Sequence, residues 1–315
     1  MKKMHVVVLG GGTGQATLLR GLKNLDHIKL TAIVTVADDG GSTGRLRRQF
    51  HIPAMGDIRN VMVALAESET LLSKLMSYRF QNHPDSEISG HNLGNLMLTA
   101  LTESSGNFME AIASISKVLN VKGRIVPSSL QVITLYAQMV DGTIVRGETN
   151  IPNMNNRISR VYYEEEVVAS RQAVEAIQQA DVILYGIGSL YTSICPNLII
   201  KDIQNAIIAS KAKKVYVCNA MSQPGETDGY DMNDHVQAIV KHSQCQVDTV
   251  IFAEDNLPDD VLLRYKKMKS HPIICTNRKY SYEVIKKSML DFSDGLVRHD
   301  PLKVQQVFEE LLHKG

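Results

Sequence analysis

The chain has 315 residues, 44% hydrophobic and 21% charged, with Lys+Arg 34 against Asp+Glu 33. A formal net charge of +1 argues against a protein whose main affinity is for nucleic acid, which is driven by clustered excess Lys and Arg, and it leaves no polybasic tail for anionic lipid. The absence of Trp leaves no obvious stacking platform for bases, and Cys195, Cys218, Cys245 and Cys275 lack the clustered spacing of a zinc site.

Residues 6–9, Val-Val-Val-Leu, form a short apolar run bounded by glycines, the pattern of a parallel strand buried on both faces. Leu18, Leu19, Leu22 and Leu25 then recur at helical spacing over 13–25, and a β-branched strand follows over 30–37. Strand, glycine-rich turn, helix and strand make a βαβ unit. Helical signals follow over 57–67, 92–101 and 107–119. The middle of the chain changes character. Short β-rich pieces at 131–139, 144–146 and 161–163, with an Asp141-Gly142 turn signal, predict a hairpin within a β-rich insertion over 120–168. The βα rhythm returns with a helix over 170–179, strand 182–185, helix 197–210, strand 214–218, helix 232–242, strand 249–252 and a last helix from about Pro301. The expected fold is therefore a single α/β domain over 1–315: a Rossmann-like, mostly parallel sheet flanked by helices, carrying that insertion. Residues 182–200 hold no charge, but Gly186, Gly188, Ser189, Pro196 and Asn197 would break a membrane helix, so a buried strand and loop are expected. With no apolar leader after Met1, the expected compartment is the cytoplasm, without membrane insertion.

Gly10, Gly11, Gly12, Thr13 and Gly14 sit between the first strand and the first helix. Glycines let backbone N–H groups approach an anion, and a helix N-terminus adds partial positive charge. The dinucleotide fingerprint fails at Gln15, which stands where the helix-packing glycine belongs. Asp38 and Asp39 end the second strand and could accept ribose hydroxyls or hold a divalent ion. Beyond them Gly41, Ser42 and Thr43 suggest a second anion nest, with Arg45, Arg47 and Arg48 facing phosphate or solvent. Asp57 opens a helix, where capping alone would explain it, or it holds Mg2+. His91, Asn92 and Asn95 open another helix as a polar site wall. Gly188, Ser189, Tyr191 and Thr192 follow a further strand, and Asn219 follows the next, so polar loops line one sheet edge as a long ligand cleft would require. Tight surface turns without a ligand are the plain alternative. Neither a nucleophile elbow nor a glycosidase-type carboxylate pair can be assigned by spacing.

Taken together, the segments 10–14 (GGGTG), 37–47 (ADDGGSTGRLR), 53–60 (PAMGDIRN), 90–95 (GHNLGN), 180–193 (ADVILYGIGSLYTS) and 219–227 (NAMSQPGET) resemble the gluconeogenesis factor family within the 2-phospho-L-lactate transferase superfamily. The deazaflavin-cofactor transferases of that superfamily typically follow their second strand with N-T-A-E-D and C-P-D-x-D, from which this chain departs, and Ile187 stands where the family often has Pro. The resemblance implies a cytoplasmic factor for growth and normal shape on gluconeogenic carbon sources that binds a nucleotide sugar such as a UDP-sugar. Possible partners are cell-wall or morphogenesis proteins and, on base rates, a second copy of the chain in a homodimer. Two other readings stay open: Mg2+-dependent transfer from a nucleoside-diphosphate-linked donor, and an NAD-like dinucleotide in the same cleft.

Overall fold

Both faces of the first strand are covered, which is why its sequence is apolar without alternation. In β1 (Met4–Gly10), Val7 and Leu9 point into one core and Val6 and Val8 into the other. The computed structural model describes residues 3–67, 71–83, 85–154 and 156–312. After β1 come α1 (Gly12–Leu22), β2 (Ile28–Val34), α2 (Gly41–Phe50), α3 (Gly56–Leu65), α4 (Leu71–Ser77), α5 (Leu93–Ser105), α6 (Phe108–Val118) and β3 (Arg124–Pro127). The inserted sheet follows: β4 (Tyr136–Met139), β5 (Ile144–Arg146), a 3-10 helix (Glu148–Met154) and β6 (Ile158–Tyr162). The second half runs α7 (Arg171–Gln178), β7 (Val182–Tyr185), a π-helical turn (Leu190–Ile194), α8 (Cys195–Leu198), α9 (Lys201–Ala209), β8 (Lys213–Val217), α10 (Met232–Ser243) and β9 (Thr249–Ala253). It ends with α11 (Asp259–Lys267), β10 (Glu283–Lys287), the hairpin β11 (Leu290–Asp291) and β12 (Arg298–His299), and α12 (Pro301–Leu312).

The main sheet has seven strands in the order β10-β9-β8-β7-β1-β2-β3, every neighbouring pair parallel. The α/β, Rossmann-like expectation is met. One core packs Tyr185, Tyr216 and Ile33 against α7, α9, α10 and the inserted sheet, and the other packs Leu30, Ala32 and Val34 against α1, α3, α6 and α12. Among the described residues no helix is long and apolar enough to cross a membrane, and the uncharged stretch 182–200 is β7, the π turn and α8.

Several sequence expectations change. Residues 124–127, read with the β-rich segment, are the edge strand of the main sheet, so the separate antiparallel sheet, order β5-β4-β6, begins only at Tyr136. The polar, glycine-rich stretch after Asp39, read as a loop, is helix α2. The helix expected over 197–210 is two: α8 begins with Pro196 in its first turn, and Ile200 is extended before α9. Elements α4, α11 and β10 were not expected at all.

Candidate functional site

From β1 the chain builds outward through β2 and β3, and from β7 it builds the other way through β8 and β9. The loops leaving the carboxyl ends of β1 and β7 therefore diverge, and the crevice between them is the topological switch point of the sheet. Glycine sets how closely the loops approach. A Cβ at Gly14 would lie 2.4 Å from the Ile187 carbonyl oxygen and 2.6 Å from Gly188 Cα, so only glycine lets the two loops touch. Gly12 takes φ +62°, the left-handed region that glycine enters without strain.

Three helices begin here. The N-caps of α1 and α2 are Gly11 and Gly40, and that of α3 is Met55; none makes a side-chain capping bond. Their first turns touch. A Cβ at Gly11 would sit 2.5 Å from Asp57 Oδ2, and one at Gly56 would sit 2.5 Å from Thr43 Oγ1 and 2.9 Å from Asp38 Oδ2. The first turns of three helices and the positive ends of their dipoles thus meet at one place, an arrangement that suits an anion, with the Gly12 N–H already taken by Asp57.

Two carboxyl groups lie among them. Asp57, at the start of α3, takes the backbone N–H of Gly12, and burial, with Asp38's charge second, pushes it up to about 7. Asp38 accepts the Gly40 N–H at 2.9 Å; burial raises it too, against the opposing effects of Gly40 and the Thr43 hydroxyl. Asp39 faces the other way, its Oδ1 accepting the Thr149 N–H at 3.0 Å and the Thr149 hydroxyl at 2.7 Å. The adjacent pair read from the sequence is therefore divided: Asp38 lines the crevice, and Asp39 ties down the inserted sheet.

On the far side, buried Glu226 accepts the Ser189 hydroxyl, the Tyr191 N–H at 3.1 Å and the Thr192 hydroxyl at 3.3 Å, fixing the β7 loop. Asn219 donates to the Gly188 carbonyl at 2.8 Å, and Asn197 donates to the Gly10 carbonyl at 3.1 Å and the Ser193 carbonyl at 2.8 Å. Half-buried Ser193 faces Gly12 across the crevice, its Oγ 4.0 Å from where a Cβ there would lie. Glu148, from the inserted 3-10 helix, completes the wall. Burial, with Asp38's charge second, pushes it up to about 8, opposed by a hydrogen bond from Thr192. Glu148 gave no sequence signal, because it acts through a tertiary return; Glu226, Asn197 and Ser193 stood in recognised segments without an assigned role.

Other expected site residues also make bonds that hold the fold. Ser42 Oγ takes the Asn92 N–H at 3.1 Å and the Asn95 amide at 3.3 Å and bonds His91 Nδ1 at 3.1 Å, while Asn92 caps α5 through the Asn95 N–H at 3.1 Å. This buried network clamps α2 to α5. Arg47 is buried and donates to the carbonyls of Ala37, Asp38 and Ile133, Arg45 donates to the Ser89 carbonyl at 2.7 Å, and Arg48 is exposed. Tyr191 turns its ring inward, its hydroxyl 2.7 Å from that of Tyr230. Gln15 donates to the carbonyls of Val8 and Ile33, both at 3.0 Å, filling the place where a dinucleotide fold brings helix against strand with glycine. For Mg2+, expected at Asp57, no group of three or more His, Cys, Asp or Glu side chains with metal-holding geometry occurs among the described residues. An ion beside Asp38 and Asp57 would have to complete its shell with water and phosphate oxygens, as Mg2+ commonly does.

A profile of the family described as 2-phospho-L-lactate transferase CofD matches residues 6–290. The chain is 46% identical over 315 residues to a gluconeogenesis factor from Halalkalibacterium halodurans, covering 98% of this chain and 97% of that one. It is 42% identical over 316 residues to the gluconeogenesis factor of Bacillus subtilis, covering 99% of each. A crystal structure of a protein from Bacillus halodurans, 46% identical, superposes with a TM-score of 0.93 over 98% of this chain and 100% of that one. The profile match takes in the β1 loop, the β7 loop and the whole inserted sheet, and on it the chain belongs to the 2-phospho-L-lactate transferase CofD family.

Proposed function

We propose that this protein is a gluconeogenesis factor that acts as a nucleotide-sugar-binding protein of the cytoplasm, taking a UDP-sugar across the switch-point crevice and serving cell morphogenesis and growth on gluconeogenic carbon sources. The ligand class rests on one observation: the uncapped first turns of α1, α2 and α3 meet at the β1 loop. The physiological role rests on the name of the relatives, which match it end to end. UDP-N-acetylglucosamine at about 100 times its Kd should stabilise the fold by roughly 2.7 kcal/mol in a thermal-shift assay. Gly12→Val should abolish that gain. A Cβ at Gly12 meets nothing closer than Asp57 Oδ1 at 3.6 Å, so the first carbon fits; φ +62° costs a β-branched residue at least roughly 1–2 kcal/mol, and the γ-methyl groups would crowd the approach to the loop, so the variant's own melting point is measured without ligand first. No shift in the wild type would overturn the reading.

A second reading, group transfer from a nucleoside-diphosphate-linked donor, is favoured by Asp57. Its carboxyl group is poised near neutral pH beside the Gly12 amide, as a general base would be.

A further inference from the structure

Three arginines from three parts of the chain close on the segment 89–94 that enters α5. Arg45, from α2, donates through Nη2 to the Ser89 carbonyl at 2.7 Å, and the same nitrogen would lie 3.5 Å from a Cβ at Gly90. Arg79, from the connection between α4 and α5, donates through Nη1 to the Gly90 carbonyl at 2.8 Å. Arg59, from α3, lays its stem on the same segment, its Cδ 2.9 Å from where a Cβ at Gly94 would be. The backbone fixes this arrangement. Arg79 and Asn92 form an antiparallel bridge, flanked by the Phe80 N–H on the His91 carbonyl and the Leu93 N–H on the Tyr78 carbonyl, both at 2.9 Å. His91 fastens the segment to α2, its Nδ1 3.1 Å from Ser42 Oγ; burial, with the charges of Arg45 and Arg79 next, holds its pKa below the ordinary range.

The cluster lacks a counter-charge. Among the described residues, no carboxylate stands within ion-pair reach of Arg45, Arg59 or Arg79. Arg59 gives Nη2 to Asn60 Oδ1 at 2.6 Å, but its Nη1 is buried with no partner, and a buried donor left unbonded is costly. Burial, with the Arg79 charge next, holds the Arg59 guanidinium below its ordinary value, against the weaker opposing charges of Asp57 and Asp38 on the crevice side. We propose that Arg45, Arg59 and Arg79 form an oxyanion site, separate from the helix first turns at the β1 loop, that takes the phosphate or carboxylate group of a small molecule beside the crevice. A guanidinium presents a planar fork of N–H donors that matches such a group, two donors to two oxygens. The anion supplies Arg59 Nη1 with an acceptor and offsets the repulsion among the three like charges. Arg79 is exposed and Arg45 and Arg59 are half-buried, so the site is open to solvent. The proposal does not depend on the nucleotide-sugar reading, which concerns the β1 loop.

The test is a thermal-shift titration with sodium phosphate and, separately, sodium malonate, at fixed pH and with ionic strength held constant by sodium chloride so that screening does not change. At least one of the two anions should raise the wild-type melting temperature saturably, and the anion that does so names the group recognised. In Arg59→Gln and Arg79→Gln the half-maximal concentration should rise at least roughly ten-fold, the size of a lost hydrogen bond to a charged group. Arg48→Gln, which removes an exposed charge from the same helix α2, should leave it within about two-fold, as should Gly12→Val at the β1 loop. If Arg59→Gln does not fold, Arg79→Gln carries the test, since its side chain is exposed. A wild type that responds to neither anion would overturn the proposal, as would an undiminished response in Arg79→Gln or an equal loss in Arg48→Gln. A response lost in Gly12→Val would return the anion to the β1 loop and overturn it too. UDP-N-acetylglucosamine that fails to stabilise the wild type would sink the nucleotide-sugar reading and leave this site standing.

Discussion

Asp57 shows what a single side chain contributes at this site and what its sequence position could tell. In the native state its carboxyl group is raised to about 7 by burial and by Asp38, whereas in the unfolded chain it titrates near 4. The folded protein therefore binds more protons than the unfolded one between those values, and Asp57's contribution to stability is lost as pH rises from about 4 through 7. Asp57→Asn keeps an acceptor for the Gly12 N–H without that loss. Urea unfolding should find the variant gaining on wild type between pH 4.5 and pH 8 by on the order of 1–3 kcal/mol, allowing for solvent at this half-buried group; parallel pH curves would refute the assignment. The sequence marked Asp57 as a helix-opening acid but gave no sign of this environment. Polar residues with the composition of a binding wall also hold the fold: Asn92 caps α5, Asn95 donates to Thr43, and Tyr191 bonds Tyr230, roles that local composition does not distinguish from ligand contact. Glu148 was silent for the opposite reason. Its segment returns to Asp39 across 110 positions of chain, a contact no local pattern records.

At the scale of elements, the legible pieces were those whose residues have one physical use. An apolar run such as 6–9 fits only a strand covered on both faces, and the glycines of the β1 loop are required by loop-to-loop contact. The glycines of α2 misled because they mimic a loop. Gly44 is there so that the helix can lie against its own entry, since a Cβ would overlap the Asp39 carbonyl at 1.8 Å. Strand β10, Glu-Val-Ile-Lys-Lys, was invisible because it is an edge strand whose charges discourage further pairing, and charge hides the β pattern. The packing of α12 on α1 also depends on glycine. A Cβ at Gly21 would lie 2.5 Å from Val304 Cγ1 and 2.8 Å from the Pro301 carbonyl oxygen. Gly21→Ala should therefore lose roughly 1–3 kcal/mol in denaturant unfolding by forcing the helices apart, although alanine favours helix. A Gly21→Ala protein as stable as wild type would mean that α12 is not held where the structure puts it.

For the whole molecule the question is whether the crevice turns its ligand over. The sheet brings the β1 and β7 loops together at its switch point, and Glu148 and Glu226 add carboxyl groups to Asp38 and Asp57 there. Two hydroxyls of the β7 loop, Ser189 and Thr192, lie 2.6 Å apart and both contact the Glu226 carboxyl group. Held by Glu226, these hydroxyls fix the shape of the β7 loop. Asp57, at about 7, and Glu148, at about 8, have pKa values suited to proton transfer, and either needs an acceptor substrate beside it. On the binding-protein reading proposed above, the purified protein binds UDP-N-acetylglucosamine and releases neither UDP nor UMP, with or without Mg2+ and 2-phospholactate. In cells lacking the protein on a gluconeogenic carbon source, wild type should restore normal shape and Gly12→Val should not. Multiple-turnover release of UDP or UMP that Asp57→Asn abolishes would replace the binding protein with a transferase, whose base would then be Asp57. Full rescue by Gly12→Val would place the physiological role outside the crevice altogether.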